Sequence, residues 1–170
     1  MPLDRTTIGF MTDPIRFSMR WPVRTYEIDE NGHVNNAVYV QWAEHVSASH
    51  ATACGWGRVW SVEHGGAWLV RRHELTYHQP ALGGDEVELT VTVRSLGGVR
   101  GVRDTEVRRV RDGTLLAEVT SEWVWVRTSD GRPARVPTEI LDAYRDAVGP
   151  AGRRAPSSSS RNALRSTPPP

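Results

Sequence analysis

The sequence has no lysine: all 21 basic residues are arginine. It holds one cysteine, Cys54, so an internal disulfide is excluded. No apolar run approaches the roughly 18 residues of a membrane span. The opening, Met1 to Pro14, is interrupted by Asp4, Arg5, Asp13 and Pro14, and so lacks a signal-peptide apolar core. A cytoplasmic protein without a membrane partner is expected. Acids are missing from one region only. All 20 Asp and Glu precede Gly149, while the last 22 residues carry Arg153, Arg154, Arg161 and Arg165. The formal charge of +1 is thus a sum of −3 over residues 1–148 and +4 over the tail. A net-acidic body suits neither a basic nucleic-acid face nor a nucleic-acid partner.

At 170 residues one domain is expected, with hydrophobic content of 38%, ordinary for a soluble globular chain once glycine is added. The tail from Gly149 has five Pro, five Ser and one large aliphatic, Leu164. It is expected to be disordered because it cannot bury enough apolar area to offset its ordering entropy. Residues 1–14 are expected to be loose, leaving a domain over 15–148.

Within that domain a strand is expected around 15–28. An amphipathic helix follows, with Val38, Trp42, Val46 and His50 at successive fourth positions and Tyr39 and Ala43 beside them. Asn35 or Asn36 is a good N-cap, and Gly55 suits the position after the C-cap. Residues 67–77 read as a strand. Val87, Leu89, Val91 and Val93 alternate with polar residues in a second. Gly97-Gly98 and Asp112-Gly113 are turns around a third strand, 99–110. Leu115 to Trp125 forms a fourth with one apolar face, and Pro137-Thr138 opens a short last helix. Consecutive strands point to an antiparallel α+β sheet.

The segment with most chemistry is Arg24 to Asn36, in which Asp29, Asn31 and His33 alternate around Gly32 before a helix N-terminus. Free N–H groups and the positive dipole end there suit an oxyanion. A carboxylate beside them can serve as general base or nucleophile toward a carbonyl. The same Asp29 could equally be a turn residue whose side chain caps local N–H groups. His73-Glu74 and His78 nearly spell a zinc-protease motif, but the spacing is one residue too long and lies in a strand, so no metal site is expected. Trp42, Trp123 and Trp125 are expected in the core or an interface. Trp56, Trp60 and Trp68 are read as core residues, with an acyl tunnel as the alternative. Cys54 is read as a small buried hydrophobe.

The run Asp29-Glu-Asn-Gly-His-Val-Asn-Asn36, with Val38-Tyr39-Val-Gln-Trp42-Ala-Glu44, resembles the hotdog-fold thioesterases of the 4-hydroxybenzoyl-CoA thioesterase-like branch. Its D-x-N-x-H-V-N-N pattern is also similar to that of plant acyl-carrier-protein thioesterases. Tyr77, Pro80 and Gly84-Asp85 sit where such proteins have a Y–P–GD stretch. The resemblance implies a long central helix wrapped by a five- to six-stranded antiparallel sheet. It also implies a homodimer or homotetramer joined edge to edge, with the site at the subunit interface. It implies an acyl-CoA or acyl-carrier-protein substrate and no cofactor beyond the coenzyme A of substrate and product. Asp29 matches the catalytic carboxylate, Asn31 and His33 its amide and imidazole partners, and the backbone at Asn35 and Asn36 the oxyanion donors. Some proteins of this resemblance use a Glu of the central helix, and Glu44 is the candidate second acid; the stretch His78-Gln79-Pro80-Ala81 holds no acid, and the acid upstream of Asp29 is Glu27. Arg71, Arg72, Arg100 and Arg103 are candidates for the phosphates of coenzyme A. A non-catalytic acyl-thioester binder on the same fold is the alternative.

Overall fold

The computed structural model describes residues 12–149, so the expectations for residues 1–11 and for the tail beyond Gly149 lie outside the described part. Its elements run β1 (Arg16–Pro22), α1 (Asn36–Ala53), α2 (Arg58–Glu63), β2 (Gly66–Tyr77), β3 (Glu86–Gly97), β4 (Arg100–Arg109), β5 (Leu115–Arg127) and α3 (Thr138–Val148). The five strands form one antiparallel sheet in the order β1-β3-β4-β5-β2. This is the α+β hotdog arrangement that the resemblance implied, with five strands.

The apolar row of α1 decides where the helix goes. Val38, Tyr39, Trp42, Ala43, Val46 and His50 are all buried. Of these, Val38, Tyr39, Trp42 and Val46 join Val87, Leu89 and Val91 of β3, Val107 of β4 and Leu116 and Ala117 of β5 in the main core. Each of the large side chains contributes about 1.5–3 kcal/mol by leaving water. Asn35 is the N-cap, its Oδ1 accepting from Ala37 N at 2.9 Å. Gly55 follows the C-cap with φ 83°, a conformation that favours glycine.

A second core cluster closes the far end of the molecule. Trp125, Val136 and Ile140 are buried there, and Trp56, Trp60 and Trp68 pack against them. Gly66 is buried against the ring of Trp125 so closely that a Cβ would overlap it.

Two local expectations change. The strand expected over 15–28 stops at Pro22, whose ring removes a backbone donor, and residues 25–27 form a 3-10 turn instead. The short helix α2 after Gly57 is an element that period and composition did not announce, because six residues are too few to display a helical period.

Candidate active site

The segment from Ile28 to Val34 folds into a tight loop. Ile28 and Val34 pair as an antiparallel bridge, Asp29 N–H donates to the His33 carbonyl at 2.8 Å, and Gly32 N–H to the Asp29 carbonyl at 3.0 Å. Gly32 takes φ 78°, which is why glycine stands there. Asp29 Oδ1 accepts from Asn31 N at 2.8 Å and from His33 N at 3.4 Å. The turn reading of Asp29 is therefore physically present. It spends only one carboxylate oxygen, and Oδ2 has no hydrogen-bond partner among the described residues. Asp29 is half-buried, while Asn31 and His33 are exposed.

The loop is held by the residues of the Tyr77 to Asp85 stretch. Val34 N–H donates to the Ala81 carbonyl at 2.9 Å, and His33 forms a bridge with Leu82. Ala81 N in turn donates to the buried Tyr39 hydroxyl at 2.9 Å. Burial raises the Tyr39 pKa, so the phenol stays protonated. Tyr77 donates its hydroxyl to the Asn36 carbonyl at 2.8 Å. Asp85 Oδ2 accepts from Leu82 N at 3.0 Å and from Arg109 Nε at 3.0 Å, and Arg109 Nη2 reaches the Pro80 carbonyl at 2.9 Å. The Asp85–Arg109 pair is buried, with its remaining hydrogen-bonding groups largely satisfied. This stretch is thus a brace for the Asp29 loop.

Glu27 is the residue that sequence reasoning undervalued. It is 5% exposed, and its carboxylate accepts from Trp42 Nε1 at 2.9 Å, Trp21 Nε1 at 3.2 Å and Arg24 N at 2.7 Å. Its carbonyl accepts from Asn35 N at 2.8 Å. In the sequence Trp21 stands six residues before Glu27 and Trp42 fifteen after, so only the fold brings both indoles to its carboxylate.

That last contact separates the two expected backbone donors. Asn35 N–H is already used by Glu27, whereas Asn36 stands at the first helical position and its N–H has no intrahelical acceptor. Glu44 lies eight residues further along α1, about 12 Å up the axis. Its Oε1 is 3.5 Å from His73 Nε2, and His73 Nδ1 is 2.9 Å from Ser121 Oγ. Ser121 is buried, so this acid–imidazole–hydroxyl chain ties α1 to β2 and β5 and presents no nucleophile.

Of the candidate phosphate-binding arginines, Arg71 and Arg100 come together on one carboxylate, while Arg72 and Arg103 are engaged elsewhere. Arg71, at the β2 bulge, and Arg100 both pair with Glu122, at 3.1 and 3.2 Å, and Arg72 pairs with Glu74 at 2.6 Å. Arg103 turns inward and donates to the Ser47 carbonyl at 2.9 Å. His78 meets Glu118 at 2.8 Å, away from His73. No group of side chains suited to a metal ion occurs among the described residues.

The thioesterase-like superfamily matches residues 23–144. The chain belongs to that family. Among curated relatives, oleoyl-acyl carrier protein thioesterase 2 of Arabidopsis thaliana is 26% identical over 151 residues, covering 84% of this chain and 41% of the relative. The chain therefore spans about two-fifths of that plant protein. Long-chain acyl-CoA thioesterase FadM of Escherichia coli is 25% identical over 104 residues, covering 61% of this chain and 78% of the relative. The DHNA-CoA thioesterase of Staphylococcus aureus superposes with a TM-score of 0.74, covering 83% of this chain and 97% of that one, at 18% identity. That likeness carries the fold.

Proposed function

We propose that this protein hydrolyses an acyl thioester of coenzyme A or acyl carrier protein to a carboxylic acid and a thiol, with Asp29 as the reacting carboxylate. The observation that carries the reading is the Asp29 side chain: Oδ1 is fixed by two backbone N–H groups, and Oδ2 is left without a partner among the described residues, at the mouth of the loop before α1. A carboxylate held in one orientation with a free oxygen can take a proton from water or attack the thioester carbonyl. The N–H of Asn36 and the positive end of α1 supply charge stabilisation for the oxyanion. Asn31 and His33 stand exposed on the same loop, where they orient the water or acyl group. Glu44, its carboxylate turned toward His73 at 3.5 Å, fits an interface role better than that of a second catalytic acid.

The protein works as a homo-oligomer in this reading. β2 is an edge strand of 12 residues with its outer backbone unpaired and Leu69 53% exposed, the kind of edge that adds a second copy. Arg71, Arg72 and Arg100 lie on that side as phosphate contacts, each of which must exchange its present acid for the ligand. The test is thiol release by the purified full chain across acyl-CoA and acyl-carrier-protein panels. Asp29→Ala and Asp29→Asn should lower kcat by roughly 10²-fold or more. Full activity in Asp29→Ala would overturn the assignment. Tight binding without turnover on every panel would favour a non-catalytic binder.

A further inference from the structure

At the end of α1 remote from Asp29, the protein has a half-open cavity of about 500 Å³ between the last turns of α1, α2, α3 and the ends of β2 to β5. That is within the range of small-molecule sites. His50, on its wall, is 14 residues along α1 from Asn36, about 21 Å away along the axis. The cavity is walled by apolar side chains such as Trp56, Trp68, Val93, Leu96 and Ile140.

Its polar lining is sparse and incomplete. Ser47 Oγ, His50 Nδ1 and Trp123 Nε1 are buried and have no hydrogen-bond partner among the described residues, and Ser47 and His50 are only 4% and 2% exposed. Leaving such groups unmet is unfavourable, because each has lost its water without gaining a partner. Arg103 also lines the cavity and makes no ion pair among the described residues; one guanidinium N–H group donates to the Ser47 carbonyl. Among the described residues no acid lines the cavity, and its second cation is Arg58. The carboxylate of Asp13, which acts on His50, accepts from Ile15 N. Burial lowers the Arg103 pKa to about 10, so the side chain is still a cation at neutral pH.

The donors and acceptors can be assigned. The Asp13 carbonyl can only accept, so His50 Nε2, 2.8 Å away, donates to it. Burial lowers the His50 pKa and keeps the ring neutral, which makes Nδ1 an acceptor. The cavity therefore offers an unpaired guanidinium, an indole N–H and a serine hydroxyl to an anion, with one ring nitrogen left for a hydroxyl or water.

We propose that this cavity binds an amphipathic carboxylic acid, its carboxylate on Arg103 and Trp123 Nε1 and its hydrocarbon part against Trp56, Trp68 and Leu96. A planar guanidinium matches a carboxylate by paired hydrogen bonds, and the apolar walls favour an acid with a hydrocarbon body over inorganic phosphate. The assignment does not rest on the Asp29 reading.

The test is titration of the full chain with octanoate, 1-octanol and inorganic phosphate, followed by tryptophan fluorescence and calorimetry. Octanoate should bind with a shift in emission, at least tenfold tighter than octanol, and phosphate should not bind. Arg103→Gln should weaken octanoate roughly tenfold or more, and Arg103→Lys should recover part of the loss. Asp29→Ala should bind octanoate like the parent chain, whatever its effect on hydrolysis. If Arg103→Gln fails to fold, Trp123→Phe, which removes one donor and keeps the ring, should still weaken octanoate several-fold. Equal binding of acid and alcohol, absence of octanoate binding, or loss of binding in Asp29→Ala with retention in Arg103→Gln would each overturn the proposal.

Discussion

The indole N–H of Trp42, one turn into the buried face of α1, donates to the carboxylate of Glu27 at 2.9 Å. This bond runs between the helix and the chain that leads into the Asp29 loop. Because Glu27 also accepts from Trp21 and from Arg24 N, and its carbonyl from Asn35 N, one residue joins β1, the 3-10 turn and the helix N-cap. The position of Asp29 relative to α1 is set two residues upstream of the carboxylate that matters.

Removal of that acceptor should therefore act on both stability and activity. Glu27→Ala leaves three N–H donors in a buried site without an acceptor, and should destabilise the fold by about 3 kcal/mol. Glu27→Gln keeps one acceptor oxygen and should cost about half as much. Denaturant melts measure the first effect. In samples still folded at the assay temperature, kcat should fall with the loop displaced. An unchanged melting midpoint in Glu27→Ala would show that the three bonds do not stabilise the junction.

Much of this architecture can be read from the chain alone, and the reasons are local. The α1 face shows because Val38, Trp42, Val46 and His50 keep a helical period, and all four are buried. β3 shows because Val87, Leu89, Val91 and Val93 alternate without interruption, and these too are buried. The Asp29 loop shows because acid, amide, imidazole and glycine are crowded before an N-cap. The rest depends on contacts far apart in sequence. Nothing near Arg103 tells that its guanidinium faces Ser47, 56 residues away, instead of solvent. Nothing near Asp85 tells that it pairs with Arg109 and braces Leu82 against His33. The bulge at Arg71 likewise shifts the phase of β2 in a way that alternation cannot reveal.

Asn31 and His33 can be separated from the turn that contains them. Asp29 is held by their backbone N–H groups, so replacing either side chain with Ala leaves those bonds in place. Both side chains are exposed, and each substitution should change stability by less than about 0.5 kcal/mol. If the side chains orient water or the acyl group, hydrolysis should fall by about tenfold or more in each. The decisive measurement is kcat beside a thermal melt for both variants. Unaltered kcat would reduce Asn31 and His33 to turn residues.

Gly66 should be one of the least replaceable positions in the fold. A Cβ there would overlap the indole ring of Trp125, which is 2% exposed at the centre of the second core cluster. The ring cannot step aside without disturbing its edge contacts with Trp68 and its packing on Trp60. Gly66→Ala should destabilise the protein by about 1–3 kcal/mol, the range for an overpacked core. Gly113→Ala tests a different cost, since open space surrounds that site and only its φ of 71° is unfavourable. The tryptophan emission maximum should move in Gly66→Ala and stay fixed in Gly113→Ala.

His50 gives the stability a defined pH dependence. Its pKa is lowered from 6.5, first by burial and further by the cation of Arg103, against the raising effects of the Asp13 carbonyl and carboxylate. In the unfolded chain the imidazole titrates near its ordinary value, so below pH 6.5 the unfolded state binds the proton more readily than the folded state. The stability that comes from keeping this ring neutral is complete above pH 6.5. It declines as pH falls from there through the lower folded-state pKa. His50→Gln offers a side-chain N–H to the Asp13 carbonyl but does not titrate, so its melting temperature should fall less between pH 7 and pH 5 than that of the parent chain. Proton uptake on unfolding, measured by calorimetry in buffers of different ionisation enthalpy, should drop in the same variant at pH 5.5. Parallel melting curves for the two proteins across that interval would mean that His50 is not the group that titrates.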